Sequence, residues 1–242
     1  MPRFFVNEPL AVGSDATIEG ADARHIGSSL RMTIGERLTL CDGMGTDYDA
    51  EITAVERERV ALTVLAATPS VAEPTLAVTL YMGLPKSDKM EWIIQKCVEL
   101  GVTAIVPVAM ARSVVRLDAK DGAKKQARWQ KIADEAAGQS GRGILPEVEA
   151  PISWKQALAR WKKENTLLCY EGGGAPIGQL VTPEDTAVSL VVGPEGGFDP
   201  VEVIAVTDLG GRIATLGPRI LRCETAPIAA LSVLMEKSGN ME

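Results

Sequence analysis

The chain has 242 residues, of which 46% are hydrophobic and 24% charged, and its formal net charge is −7. That length suits one large domain or two modest ones, and the balance is that of a globular protein able to bury a core. No stretch approaches the ~20 apolar residues that a membrane span needs, and Cys41, Cys97, Cys169 and Cys223 lack CxxC spacing or a partnering His cluster, which argues against a zinc site and a disulfide framework.

The first residues, MPRFFVNEPLAVG, carry no charged-then-apolar targeting pattern, so a cytoplasmic location is expected. Residues 1–70 then read as short strands broken by turns. Leu38 to Cys41 runs into Asp42-Gly43-Met44-Gly45, a hairpin signal. Tyr48 to Val55 alternates, Val60 to Ala66 is apolar, and Asp22 to Leu30 has room for one short helix. Ala67 to Pro74, with two prolines and little apolar bulk, is the expected linker.

From residue 75 to 242 the period changes. Leu76 to Met82 is a buried-strand run. Asp88 with Glu91 three residues on has capping-box spacing before Met90, Ile93, Ile94, Cys97 and Val98, which share one helical face, and Gly101 suits the C-terminal cap. Strands are expected at 103–108, 166–169, 187–192 and 212–215, and helices at about 120–138, 200–208 and 225–237. This alternation implies an α/β domain with a largely parallel sheet.

Charge is distributed unevenly. Residues 1–70 have a balance of −5, whereas residues 112–131 hold seven Lys/Arg against Asp118 and Asp121, a balance of +5. A local basic stripe on an acidic protein suits a selective polyanion contact.

Three glycine-bearing loops follow predicted strands, where open α/β sheets place ligands. They are Cys169 to Gly174, Val192 to Phe198, and Leu216 to Ala226. Their carboxylates, Glu171, Glu195 and Glu224, favour a cationic ligand over a phosphate. Gly172 and Gly174 begin a G-x-G-x-x-G pattern that Ile177 ends, no phosphate-binding G-x-x-x-x-G-K-[ST] loop exists, and Arg142 breaks the only near match to a nucleophile elbow. His25, the single histidine, lies in the β-rich part. On residues alone a non-catalytic RNA-binding module stays open beside an enzyme.

The stretch Val192-Gly193-Pro194-Glu195-Gly196-Gly197-Phe198, followed by Leu216-Gly217-Pro218-Arg219-Ile220-Leu221-Arg222-Cys223-Glu224-Thr225-Ala226, resembles the cofactor-binding end of SPOUT-type methyltransferases. Within them it is most similar to the family that methylates uridine N3 in 16S rRNA, the RsmE family. Lys86 to Trp92, Gln95 to Gly101, Gln139 to Arg142 and Pro146 to Val148 extend the similarity over nearly the whole chain, and Leu30-Arg31 with Asp42-Gly43-x-Gly45 resembles its N-terminal PUA-like RNA-binding β-barrel. Gly138, Arg24 before His25, and Cys223 depart from the family pattern.

The resemblance implies a PUA-like barrel at 1–70 and, at 75–242, a SPOUT domain with a trefoil knot. It further implies a homodimer, S-adenosylmethionine as cofactor, no metal, and 16S rRNA within the 30S subunit as partner. A related SPOUT enzyme acting on tRNA or large-subunit rRNA is the alternative within that fold. The backbone of Leu168, Gly193, Leu216 and Leu221 is then expected to cradle the cofactor, with Tyr170, Glu171, Pro194, Glu195, Gly196, Gly217, Ile220, Arg222, Thr225 and Ala226 completing the pocket. Arg222 is the expected catalytic neighbour, a fixed cation for a uracil anion, with Glu224 orienting it or accepting a hydrogen bond from substrate. Arg3, Arg24, Arg31, Lys86, Lys89 and Arg142 are the expected phosphate contacts.

Overall fold

A computed structural model describes residues 1–241, which divide into two compact units. Met1–Glu73 with Ala137–Leu145 form the first, and Pro74–Ala136 with residues 146 onward form the second.

In the first unit, β1 (Arg3–Phe5), β2 (Asp15–Glu19), β3 (Arg37–Cys41), β4 (Thr46–Val55) and β5 (Arg59–Pro69) make one five-stranded sheet in the order β1-β3-β4-β5-β2. Only β1 and β3 pair in parallel. Period-two alternation turns Leu38, Leu40, Ile52, Val60 and Leu62 to one face, where they are fully buried. The expected short helix is split: α1 (Gly20–Arg24) passes into a π-helical turn at His25–Ser29.

The expected linker is partly strand. β5 continues to Pro69, which pairs with Thr46. Residues 137–145 belong with the β-rich unit because Glu73 gathers them. Its carboxylate accepts from the N–H groups of Gly143 (2.8 Å) and Ile144 (3.0 Å) and from the Arg142 guanidinium (2.7 Å). Met44 bridges Ile144, and a Cβ at Gly143 would stand 2.3 Å from that of Ser70. Only glycine fits there.

In the second unit the elements are β6 (Ala77–Gly83), α2 (Lys89–Glu99), β7 (Ala104–Ala109), α3 (Ala119–Ser140, its last turn in the first unit), β8 (Glu147–Val148) and β9 (Ile152–Ser153). α4 (Trp154–Trp161), β10 (Thr166–Cys169), β11 (Ala175–Pro176), β12 (Ala187–Val192), α5 (Pro200–Asp208), β13 (Arg212–Thr215) and α6 (Thr225–Lys237) follow. The sheet runs β11-β13-β10-β12-β6-β7-β8, with β9 also on β7, and every pair is parallel. Unbroken apolar runs such as Leu190-Val191-Val192 are what a parallel strand buried on both faces requires.

The Asp88–Glu91 capping box does not form. Asp88 makes no side-chain cap, and Glu91 bonds Arg128 of α3 at 2.8 Å instead. Reciprocal boxes stand at Ser153–Gln156 before α4 and Asp199–Glu202 before α5. Trp161 of α4 packs edge-on against Tyr81 (5.2 Å between centroids) and Trp154 (5.0 Å), and Phe198, from the loop after β12, is buried in the same cluster. That anchor pins one wall of the site.

Candidate active site

Strand register brings the three glycine loops together. Cys169, the last residue of β10, lies beside Val192 at the end of β12 and beside Ala214 near the end of β13. All three chains therefore leave the sheet at the same edge, and their loops line one cavity of about 520 Å³. That is the size of pockets that enclose small molecules.

Glycine is required at several walls. A Cβ on Gly193 would meet the Phe198 ring at 3.1 Å and the Gly197 backbone at 3.3 Å. Gly217 has φ +99°, a conformation that L side chains rarely adopt. Behind the cavity, a Cβ on Gly83 would stand 2.5 Å from Pro194, so the end of β6 is pressed against the second loop.

A charged cluster closes one side. The Lys89 ammonium lies 3.1 Å from Glu195 and 3.1 Å from Glu224, and 3.8 Å from the Cys223 sulfur. One cation thus ties the first turn of α2 to the second and third loops. Glu195 also accepts from the Lys86 N–H at 3.1 Å, and the Cys223 thiol donates to Glu224 at 3.3 Å. Partial burial pushes both carboxylates upward. Backbone N–H bonds, the Lys86 and Cys223 donors at their respective carboxylates, and Lys89 outweigh it, so each sits below its ordinary value. Hydrogen bonds to the two carboxylates, Glu195 first, hold Lys89 above its own. Burial pushes the Cys223 thiol up to about 12.

Most residues expected at the cofactor line this cavity: Tyr170, Glu171, Gly193 to Gly196, Leu216, Gly217, Ile220 to Arg222, and Ala226. Leu168 is fully buried one position before the first loop, and Thr225 opens α6. The Arg222 carbonyl accepts from the N–H groups of Thr225 and Ala226, both at 2.9 Å, fixing the turn into that helix. Glu224 meets Lys89, not the Arg222 expected beside it.

The expected phosphate contacts scatter. Lys89 lines the cavity and Lys86 is exposed beside it in sequence. In the first unit Arg3 is paired with Asp47, Arg24 with Glu58 at 2.9 Å, and Arg31 is exposed with φ 56°. Arg142 requires correction: it is 3% exposed and its guanidinium is held by Glu73, so it is not displayed to a phosphate.

Sequence reading missed Gly83, Arg219 and Arg112. Arg219 lies in the loop already singled out and lines the cavity. Arg112 donates to the Gly196 carbonyl at 3.1 Å from a segment read only for its charge. Nothing in the local pattern pairs distant residues of that kind.

The lining suits a sulfonium nucleoside. Unhindered peptide groups face a half-apolar hollow, with Leu216, Ile220 and Leu221 on one loop and the Glu171 and Glu195 carboxylates on the others. Among the described residues no group of three His, Cys, Asp or Glu side chains is placed to hold a metal ion.

Comparison with known proteins agrees in both units. Residues 72–235 match the family model for an RNA methyltransferase domain, and residues 18–65 match that for an RNA methyltransferase PUA domain. The chain is similar to ribosomal RNA small subunit methyltransferase E of Bacillus subtilis, with 38% identity across 97% of this chain and 96% of that protein. The protein of the same name from Mycobacterium bovis is 31% identical, across 96% and 90%. Among solved structures, ribosomal RNA small subunit methyltransferase E of Neisseria gonorrhoeae bound to S-adenosylmethionine superposes with a TM-score of 0.87 at 36% identity, covering 98% of this chain and 97% of that one. A Legionella pneumophila methyltransferase structure with bound cofactor gives 0.86 at 32% identity, covering 97% and 96%.

Proposed function

This chain belongs to the ribosomal RNA small subunit methyltransferase E family, and on that premise we propose that it methylates N3 of a uridine in 16S rRNA, with S-adenosylmethionine as donor. The observation that carries the reading is the convergence of three glycine loops on one cavity bearing carboxylates. The cofactor supplies a methyl on a sulfonium, already activated for in-line transfer. The protein has to align the target and manage one proton.

The backbone at Leu168, Gly193, Leu216 and Leu221 would hold the nucleoside and amino-acid parts, and Glu171 and Glu195 would offset positive charge. Arg222, which is exposed and lines the cavity, would stabilise the anion left when uracil N3 loses its proton. Lys89, which lines the cavity, holds Glu224 in an ion pair at 3.1 Å, so Glu224 would act through Lys89 and the loop geometry.

The same reading makes the protein a cytoplasmic homodimer that acts on the 30S subunit through its knotted domain. Strand order, with β10 laid between β12 and β13, supports the knot. Trp92, 53% exposed on α2 three residues from Lys89, supports an apolar interface beside the cavity.

The test is a methyl-transfer assay on 30S subunits, free 16S rRNA and tRNA, with the product base identified by mass. The reading requires 3-methyluridine in small-subunit rRNA. A methyl on ribose, on another base, or on tRNA alone overturns it. Arg222→Ala should lower kcat by about 10² or more in the same assay.

A further inference from the structure

We infer that the exposed face of α3 is a phosphate track that carries the substrate RNA to the cavity, an inference that rests on the RNA-methyltransferase reading above. Lys120, Lys124, Arg128 and Lys131 follow one another at intervals of four, four and three residues, and all four are exposed. At about 100° per residue they fall within an arc of about 80° and span about 16 Å. The buried positions of this part of the helix, Gly122, Trp129 and Ala133, lie on the opposite side. The sequence has therefore placed one face of α3 in the core and given the other to cations.

The basic segment is tied to the neighbourhood of the cavity at two places. Ahead of the helix, seven residues before α3 begins, Arg112 donates to the Gly196 carbonyl at 3.1 Å and stands 4.0 Å from Asp199. Towards its other end, Arg128 bonds Glu91 at 2.8 Å, in the α2 turn that also carries Lys89. Gly196 and Lys89 both line the cavity. The carboxylates facing the stripe are few. Glu91 is taken by Arg128, Glu135 lies 3.8 Å from Lys131 with both side chains largely exposed, Asp118 precedes the run of cations and Asp121 follows its first member.

The occupant follows from charge. The chain as a whole carries −7, yet residues 112–131 carry +5, so a polyanion is drawn to this face and held off elsewhere. A row of cations one helix long matches successive phosphates of a single strand and contacts the backbone without reading bases. RNA fits it; an acidic protein segment would be the alternative outcome.

The experiment uses full-length wild type and the triple variant Lys120→Gln/Lys124→Gln/Lys131→Gln, with Arg128 left on Glu91. Binding to full-length 16S rRNA and to 30S subunits is measured across a salt series, alongside S-adenosylmethionine affinity. We expect RNA affinity to fall about tenfold or more and the log–log salt slope to flatten by about 2 to 3, with cofactor affinity unchanged. The matching triple Lys→Arg variant should restore both RNA quantities. Unchanged RNA affinity in the Gln variant overturns the track, and so does weakened binding with an unchanged slope. Normal methylation by wild type with normal RNA KM in the variant overturns the track alone. A wild type that binds the cofactor but neither RNA overturns the enzymatic reading together with it.

Discussion

Lys89 is the residue on which the site's charge arrangement turns. It opens a helix, and its ammonium reaches the loops after two different strands, so its removal leaves Glu195 and Glu224 facing each other with less compensation. Both carboxylates are held below their ordinary value of 4.5. Stability from such depressed groups is present above that value and is lost as pH falls through the depressed ones. Lys89→Met should therefore move the acid-unfolding midpoint, followed by circular dichroism, to higher pH; an unchanged midpoint would show the pair to be solvated and idle. Thiols give a second residue-scale expectation. Burial pushes Cys41, Cys169 and Cys223 up to about 12 and Cys97 upward as well. At pH 8 only roughly one thiol in ten thousand of those at 12 is ionised, so iodoacetamide should label the native chain slowly and all four cysteines rapidly in denaturant. Rapid native labelling of Cys223 would mean that the cavity wall opens.

At the scale of elements, the end of α3 and the turn after it show how a motif misleads when its partner is remote in sequence. Gln139-Ser140-Gly141-Arg142 looks like displayed polar chemistry, but Glu73 lies 69 residues away from Arg142 and gathers the turn. Truncating a buried partner leaves the other charge without compensation, so Arg142→Ala should cost about 3 kcal/mol in denaturant unfolding of the first unit. Full stability with reduced RNA binding would return the arginine to the surface. The parallel sheet of the second unit was legible because its strands are continuous apolar runs, as at Leu190 to Val192, and α2 because its five buried positions repeat at helical spacing. Two-residue strands such as β8 and β9 carry too few side chains for any period, and α4 hides its start in a Ser153–Gln156 box that resembles loop. Asp88 and Glu91 had the right spacing and failed because Arg128 offers Glu91 a charged partner.

Across the whole molecule, the candidate site sits in the second unit, where the ends of β10, β12 and β13 meet. The glycines and carboxylates of those loops were visible in the sequence, whereas Lys89 as their common counter-ion was not, because 106 residues separate it from Glu195 and more from Glu224. The central claim is that these loops form one receptor for a sulfonium nucleoside. Titration calorimetry of the chain with S-adenosylmethionine tests it most directly, with Gly193→Val as the variant whose added side chain crowds Phe198 and Gly197. One saturable site per chain in wild type, lost or strongly weakened in a Gly193→Val protein that remains folded, is the predicted result. A folded wild type that gives no binding heat and no cofactor-dependent rise in Tm would contradict it.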